Sequence, residues 1–261
     1  MKTLRLFAGL LVATVWGELA LANSDYVGTE VCAGCHEQPF ADWQGSHHDL
    51  AMQAVTEKTV LGDFDNATFT YAGTTSTFYR KDGAFWVRTD NAAGELEEFR
   101  VAWVFGVYPL QQYLLPIGHG KLQALTIAWD ARSQAEGGQR WYHLYPDDGI
   151  KAGDPLHWTG PYQNWNTRCA ECHSTNVEKH YNPSERSFAT TWDADNVGCE
   201  GCHGPGAQHV ALAKENTLAG IIENNATTIN GARNDMTSTT VKGSAVKTPS
   251  LRSSLFMWRR Q

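Results

Sequence analysis

Cys32-Ala33-Gly34-Cys35-His36, Cys169-Ala170-Glu171-Cys172-His173 and Cys199-Glu200-Gly201-Cys202-His203 repeat one pattern: two cysteines separated by two residues, with a histidine directly after the second. The three copies use all 6 cysteines of the 261-residue chain. One copy stands early and two stand late, and the long stretch between them holds no cysteine. The chain therefore reads as motif-bearing segments separated by a block with a pattern of its own.

That block is β-patterned. Between Ala67 and Tyr145 apolar residues recur at every second position, the mark of strands with one buried face. Phe69 and Tyr71 alternate with threonines, and Thr77–Lys81 and Ala84–Thr89 flank Asp82-Gly83, a dipeptide that tolerates positive φ and favours a tight hairpin. A second turn at Asn91–Gly94 leads into Phe99, Val101, Trp103 and Phe105, again alternating. Leu122–Trp129 and Arg140–Tyr145 complete a set of about five strands, which predicts a small antiparallel sheet. Its aromatics, among them Phe85, Trp86, Trp103 and Trp129, are expected to fill the core.

Outside the block regular structure is sparse. Phe40, Trp43, His47 and Leu50 share one face at helical spacing, with Pro39 suited to a first helical turn, although Gly45 weakens that helix. Residues 153–160 are rich in turn formers, and little regular structure is expected from Cys169 to His203. After Ala213 the composition turns to Thr, Asn, Ser and Gly with an excess of basic residues, which predicts a flexible tail. The expected class is α+β: irregular, partly helical motif segments around a small antiparallel β-rich insertion. Its expected divisions are a signal peptide at 1–22, a first motif segment at 23–66, the insertion at 67–150, a second motif segment at 151–213 and the tail at 214–261.

The signal peptide follows from Lys2 and Arg5 at a basic start, an apolar run from Leu6 to Ala20 broken by Thr14, Gly17 and Glu18, and small residues at Ala20 and Ala22. A spanning helix needs about 20 largely unbroken apolar residues, so Glu18 favours cleavage over anchoring. No later stretch is long and apolar enough to span a bilayer. The expected location is periplasmic or secreted, with no stable membrane span after cleavage. The formal charge is −7, and loss of Lys2, Arg5 and Glu18 makes the remainder more acidic still. Such a surface argues against nucleic acid and for docking to basic patches on other redox proteins.

The three pentapeptides fit the attachment pattern of haem c. Two thiols at this spacing reach the two vinyl groups on one edge of a porphyrin, and the adjacent imidazole becomes the proximal iron ligand. The proposed cofactor-binding residues are thus Cys32, Cys35, Cys169, Cys172, Cys199 and Cys202, with His36, His173 and His203 on three irons. Zinc would gather thiolates in threes or fours, which three separate units divide into awkwardly. A disulfide across two intervening residues closes a very short loop, where the entropic gain is smallest.

Each iron accepts a second axial ligand. The chain offers few methionines past the signal segment (Met52, Met236 and Met257), so histidine is expected opposite. Seven histidines remain: His47, His48, His119, His143, His157, His180 and His209. Of these, His119 and His180 read as ordinary surface or core residues.

Trp43-Gln44-Gly45-Ser46-His47-His48, Asp154-Pro155-Leu156-His157-Trp158-Thr159-Gly160-Pro161 and Cys202-His203-Gly204-Pro205-Gly206-Ala207-Gln208-His209 resemble the multihaem cytochromes of the cytochrome c-552/4 type, above all members often fused to tetratricopeptide repeats. The resemblance runs from about Tyr26 to about Lys214 and takes in the strand block, where Gly137-Gly138-Gln139-Arg140-Trp141 is another family-like stretch. It implies distal ligands from three places: His209 after the Gly-Pro-Gly bend, His48 with His47 as its rival, and either His157 or His143. Relatives commonly continue into a further haem motif and helical repeats; this chain shows a low-complexity stretch there, with no 34-residue period.

Two functional readings follow. In the first, three mostly bis-histidine haems pass electrons between redox partners such as a membrane quinol dehydrogenase and a terminal reductase, with haems two and three close together because their motifs are. In the second, one iron keeps an open position and acts on a small nitrogen or sulfur compound, with His119, His143, Arg140 or Tyr142 lining a pocket. The sequence holds no Cys-x-x-Cys-Lys variant, and electron transfer is the reading favoured. A third, that the strand block binds a partner while the haems act as sensors, has less to support it.

Overall fold

The structure, a computed structural model, describes residues 25–215. The expected signal peptide and nearly all of the expected tail lie outside the described residues. By contacts the chain divides after Gln208; of the second unit only residues 209–215 are described.

The elements run α1 (Thr29–Ala33), α2 (Glu37–Trp43), β1 (Met52–Ala54), β2 (Ala67–Tyr71), β3 (Thr74–Lys81), β4 (Ala84–Asp90), β5 (Leu96–Arg100), β6 (Trp103–Phe105), β7 (Leu110–Pro116), β8 (Leu122–Ala124), β9 (Ile127–Asp130) and β10 (Arg140–His143). Then follow α3 (Trp165–Arg168), α4 (Ala170–His173), β11 (Tyr181–Asn182), β12 (Ser187–Phe188), α5 (Cys199–His203) and α6 (Ala207–Glu215). Short helices at the motifs and antiparallel strands between them make the chain α+β, as the sequence implied.

The β2-β3-β4-β5 meander forms one four-stranded sheet. Its β3–β4 hairpin turns at Asp82 and Gly83, with φ of 52° and 71°, closed by the pair Lys81 and Ala84. Both residues sit where the Asp-Gly signature requires. At the next turn the Asn91 side-chain oxygen accepts the backbone N–H of Ala93 and of Glu95, holding the connection to β5.

The strand block differs from expectation in one respect: it makes two sheets rather than one. The second is six-stranded, in the order β1-β6-β7-β9-β10 with β8 also on β7. The alternating run from Phe99 to Phe105 is not one strand. It leaves the first sheet after Arg100 and enters the second at Trp103; at the corner Val101 N–H still donates to Phe85 O, while Ala102 N–H donates to Leu114 O. Leu122–Trp129 likewise breaks in two, because β8 pairs with one end of β7 and β9 with the other. Alternation survives a corner of this kind, so it cannot reveal one. β1 comes from outside the expected insertion, pairing Met52 with Phe105 and Ala54 with Trp103.

The two sheets enclose one apolar core. Phe64 sits at its centre, its ring edge-on to Phe78, Phe85, Tyr113 and Trp141 at centroid distances of 5.1–5.7 Å. Val87, Val104, Leu115 and Leu125 fill the space around them and are fully buried. Each such side chain contributes about 1.5–3 kcal/mol by leaving water. A second cluster, with Met52, Phe105, Leu114, Ala124, Trp165 and Ala170, joins the β1-β6-β7 sheet to α3 and α4. Through it the β region positions the second motif.

Candidate haem-binding centre

Each cysteine pair lies on or beside a turn of helix. α1 holds Cys32, α4 holds Cys172 and His173, and α5 holds the whole third pentapeptide. Positions three apart on a helix share a face, which in the third pair, whole within α5, puts Cys199 and Cys202 on one side of the helix. None of the six thiols is bridged to another. Cys35, Cys172 and Cys202 are exposed and the first cysteine of each pair is half-buried. Burial pushes the Cys32 thiol above its ordinary value, with the neighbouring Cys199 and Glu200 adding to it. Burial does the same for Cys169, helped by Cys172.

At the second motif the histidine is already oriented. His173 Nδ1 lies 2.9 Å from Ala51 O, and a carbonyl can only accept, so the proton sits on Nδ1. The lone pair of the neutral ring is then on Nε2, the geometry in which a backbone carbonyl fixes a metal-binding imidazole. Phe105 packs edge-on against that ring at 5.2 Å. At the first motif an open hollow of about 610 Å³ lies against Gly34, Cys35, His36 and the first turn of α2. The exposed second sulfur of each pair, the His173 ring held by a backbone carbonyl at the second motif and the open hollow beside the first suit covalently attached porphyrins. The haem iron would supply one-electron redox chemistry; the chain supplies the anchors and the imidazoles.

The third motif is the hub that gathers the other two. On one side it meets the first: the Cys32 and Cys199 thiols are neighbours, and Cys199 N–H donates to Thr29 Oγ1 at 3.2 Å. A Cβ on Gly198 would come within 2.3 Å of that same hydroxyl, so the approach needs glycine there. Glu200, between the two cysteines of the motif, is buried. Its carboxylate accepts the backbone N–H of Val27, Gly28 and Gly206 at 2.8–3.1 Å. Such charge-assisted bonds to otherwise unpaired amides are among the stronger ones available to a chain.

On the other side the third motif meets the second. Thr175, two residues past His173, accepts Gly198 N–H at 2.9 Å and donates to Asn196 O at 2.8 Å. Around it residues 175–178 run antiparallel to 191–194. These ties bring the second and third motifs together. The direct contact of the first with the third was not foreseen, because it joins residues far apart in sequence. Glu200, Thr29, Thr175 and Gly198 were likewise missed: their partners are backbone groups, which leave no motif.

The remaining histidines fall into two groups. His47 and His48 lie exposed in the loop after α2. That loop is tied to the approach of the third motif by Val197 N–H to His48 O (3.1 Å), Trp43 Nε1 to Val197 O (2.9 Å) and Asn196 Nδ2 to Asp49 Oδ1 (2.9 Å). His209 is on α6. His143 and His157 instead lie buried between strands of the β region. His157 faces Thr159 Oγ1 through Nδ1 at 2.8 Å and Asp90 Oδ2 through Nε2 at 3.2 Å, so both ring nitrogens are engaged. His143 stacks on Tyr71 at 3.6 Å and accepts Tyr145 N–H through Nδ1. The void beside these two is about 20 Å³, room for one water and no porphyrin. The family-like stretch around His157 acts here as a clip: Trp158 Nε1 donates to Asp90 O, and Gln123 Nε2 to Trp158 O and Gly160 O.

Residues 31–88 and 149–204 match the model of the family described as cytochrome c554 and c-prime. All three pentapeptides fall inside the match; residues 89–148, most of the β region, fall outside it. Among solved structures, the crystal structure of the outer cell wall cytochrome OcwA aligns with a TM-score of 0.45 and 21% identity, over 74% of this chain and 34% of that one. The chain thus spans about a third of the length of that protein. The search of curated proteins returned no match. The attachment motifs and the family match together make this chain a multihaem c-type cytochrome.

Proposed function

We propose that this cytochrome carries three haems c and moves electrons among them and between redox proteins. The observation that carries the reading is the convergence of the three motifs: Cys199 N–H of the third donates to Thr29 on the helix that holds Cys32, and Gly198, next to Cys199, donates to Thr175, two residues past His173. Electron tunnelling falls steeply with distance, and helices this close bring their porphyrins within one connected set. The proximal ligands are His36, His173 and His203. For the distal positions we propose His48, with His47 as its alternative, and His209. His143 and His157 are read as structural, since both are buried, both ring nitrogens of His157 and Nδ1 of His143 have partners in the β region, and the His143 ring stacks on Tyr71.

An exported location, periplasmic or extracellular, and cleavage after residue 22 complete the proposal. Among the described residues no helix is long and apolar enough to cross a membrane. The partners are other redox proteins, and the acidic surface suits basic docking patches on them. The rival reading, an open iron acting on a small nitrogen or sulfur compound, has no specific observation in its favour.

Intact-mass analysis of the exported polypeptide is expected to show three added haems. The visible spectrum is expected to be low-spin and indifferent to carbon monoxide. Two haems or fewer would refute the count, and a high-spin fraction that takes up the gas would refute the electron-carrier reading in favour of catalysis.

A further inference from the structure

One groove in the β region stands out by its charge. The chain has 21 basic against 28 acidic side chains, yet this groove is lined by Lys121, Lys179 and Arg186 and by no carboxylate among the described residues. Its volume is about 640 Å³, inside the range of roughly 300–1,000 Å³ typical of small-molecule sites. Lys179 is paired with Glu171 at 2.7 Å. Lys121 and Arg186 make no ion pair among the described residues, so their charge is uncompensated on an otherwise acidic protein. Tyr181 and Phe188 form an aromatic wall, ring centroids 4.8 Å apart, and Tyr181 is half exposed.

The groove is pre-built. Its two sides, the β7–β8 turn and the β11–β12 hairpin, are bonded by Phe188 N–H to His119 O at 2.9 Å. They meet so closely that a Cβ on Gly120, whose φ is +66°, would collide with the Phe188 carbonyl. The floor is a network of buried amides. Asn166 donates to Gly120 O and Thr190 Oγ1 and accepts Leu122 N–H, while Asn164 donates to the Gln123 side-chain oxygen. A satisfied buried network of this kind holds one geometry, so little ordering is left for a ligand to impose.

We propose that this groove is a binding site for a small planar aromatic dianion, an aromatic dicarboxylate. The ring would lie against Tyr181 and Phe188 and the carboxylates would pair with Arg186 and Lys121. Arginine matches a carboxylate through two parallel N–H bonds, which a lone lysine cannot offer. An inorganic anion would satisfy the charges and leave the aromatic wall unused. The groove borders the second motif, since Thr167 lies two residues before Cys169 and Lys179 pairs with Glu171; the proposal does not rest on the direction of electron flow.

The test is calorimetric titration of the full-length, haem-loaded protein with naphthalene-2,6-dicarboxylate at low ionic strength. One saturable site is expected, weakened about tenfold or more in the Lys121→Gln, Arg186→Gln double variant. Binding should be weakened several-fold in Tyr181→Ala and unchanged in Lys58→Gln, a lysine outside the groove. Unaltered visible and far-ultraviolet spectra of each variant would show that the fold is kept. Failure of the wild type to bind, equal affinity in the double variant, or displacement of the probe by an equal concentration of inorganic phosphate would overturn the proposal.

Discussion

The β region and the motif cluster are held together by opposite means. Between its two sheets the β region buries a continuous aromatic and aliphatic core around Phe64. The motif helices bury almost nothing apolar: α1 buries only Thr29, α2 buries no residue, α4 only Ala170 and α5 only Glu200. What joins the helices is polar, through Glu200, Thr29, Thr175 and Asn196. A four- or five-residue helix has no stability of its own in water. Hydrogen bonds to long-range partners therefore join the motif helices, whereas apolar packing holds the β region together.

The strongest way to break that comparison is to remove an anchor. Substituting Cys199 and Cys202 by serine should lower the intact mass by one haem and leave amides of residues 25–50 and 170–206 exchanging much faster with solvent. The β core should keep its near-ultraviolet aromatic signal. Equal loss of order in both regions would show that they fold as one.

The converse variant is Phe64→Ala, which empties the centre of the aromatic core and should cost about 3–5 kcal/mol. Chemical denaturation followed by tryptophan fluorescence would measure it. The haems should remain covalently attached and the β region should melt first.

Glu200→Ala leaves the N–H groups of Val27, Gly28 and Gly206 without their acceptor. It should destabilise the motif cluster by about 1–3 kcal/mol. Faster hydrogen exchange confined to the first and third motifs, with little change at β9 and β10, is the expected pattern.

The smallest effect is at Asp130 in β9. The Arg132 guanidinium bonded to it holds its carboxyl below the usual carboxylate range, outweighing the rise from burial. A pKa lowered on folding adds stability above the ordinary value near 3.9, and that stability is lost as pH falls through the lower, folded value. Asp130→Asn should thus lower the melting temperature at pH 7 by about 2–4 °C. As the pH falls through that lowered value and the wild-type carboxyl takes up its proton, wild type and variant should converge.

Much of this was legible in the residues. The three pentapeptides stand out because two cysteines and a histidine fall within five consecutive residues, and Asp82-Gly83 announces its hairpin because a turn is local. The corner at Val101 was not legible, since alternation continues unbroken as the chain passes between sheets, and neither was the break at Leu125, where β8 and β9 pair with opposite ends of one strand, β7. Nor were the roles of His143 and His157, whose family-like surroundings read equally well as ligand or as clip. What the structure adds is their partners, Asp90, Thr159, Tyr71 and Tyr145, which carry the proposal that they are clips.

What the sequence determined by itself was which atoms can hold a porphyrin and where strands run, because covalent attachment and side-chain alternation depend on residues a few positions apart. The tertiary structure alone decided which motifs are neighbours, that the strands divide between two sheets, and that Glu200 and Gly198 join the first motif to the third. Those outcomes rest on backbone groups meeting across long separations. Every residue carries such groups, so composition and spacing cannot single them out.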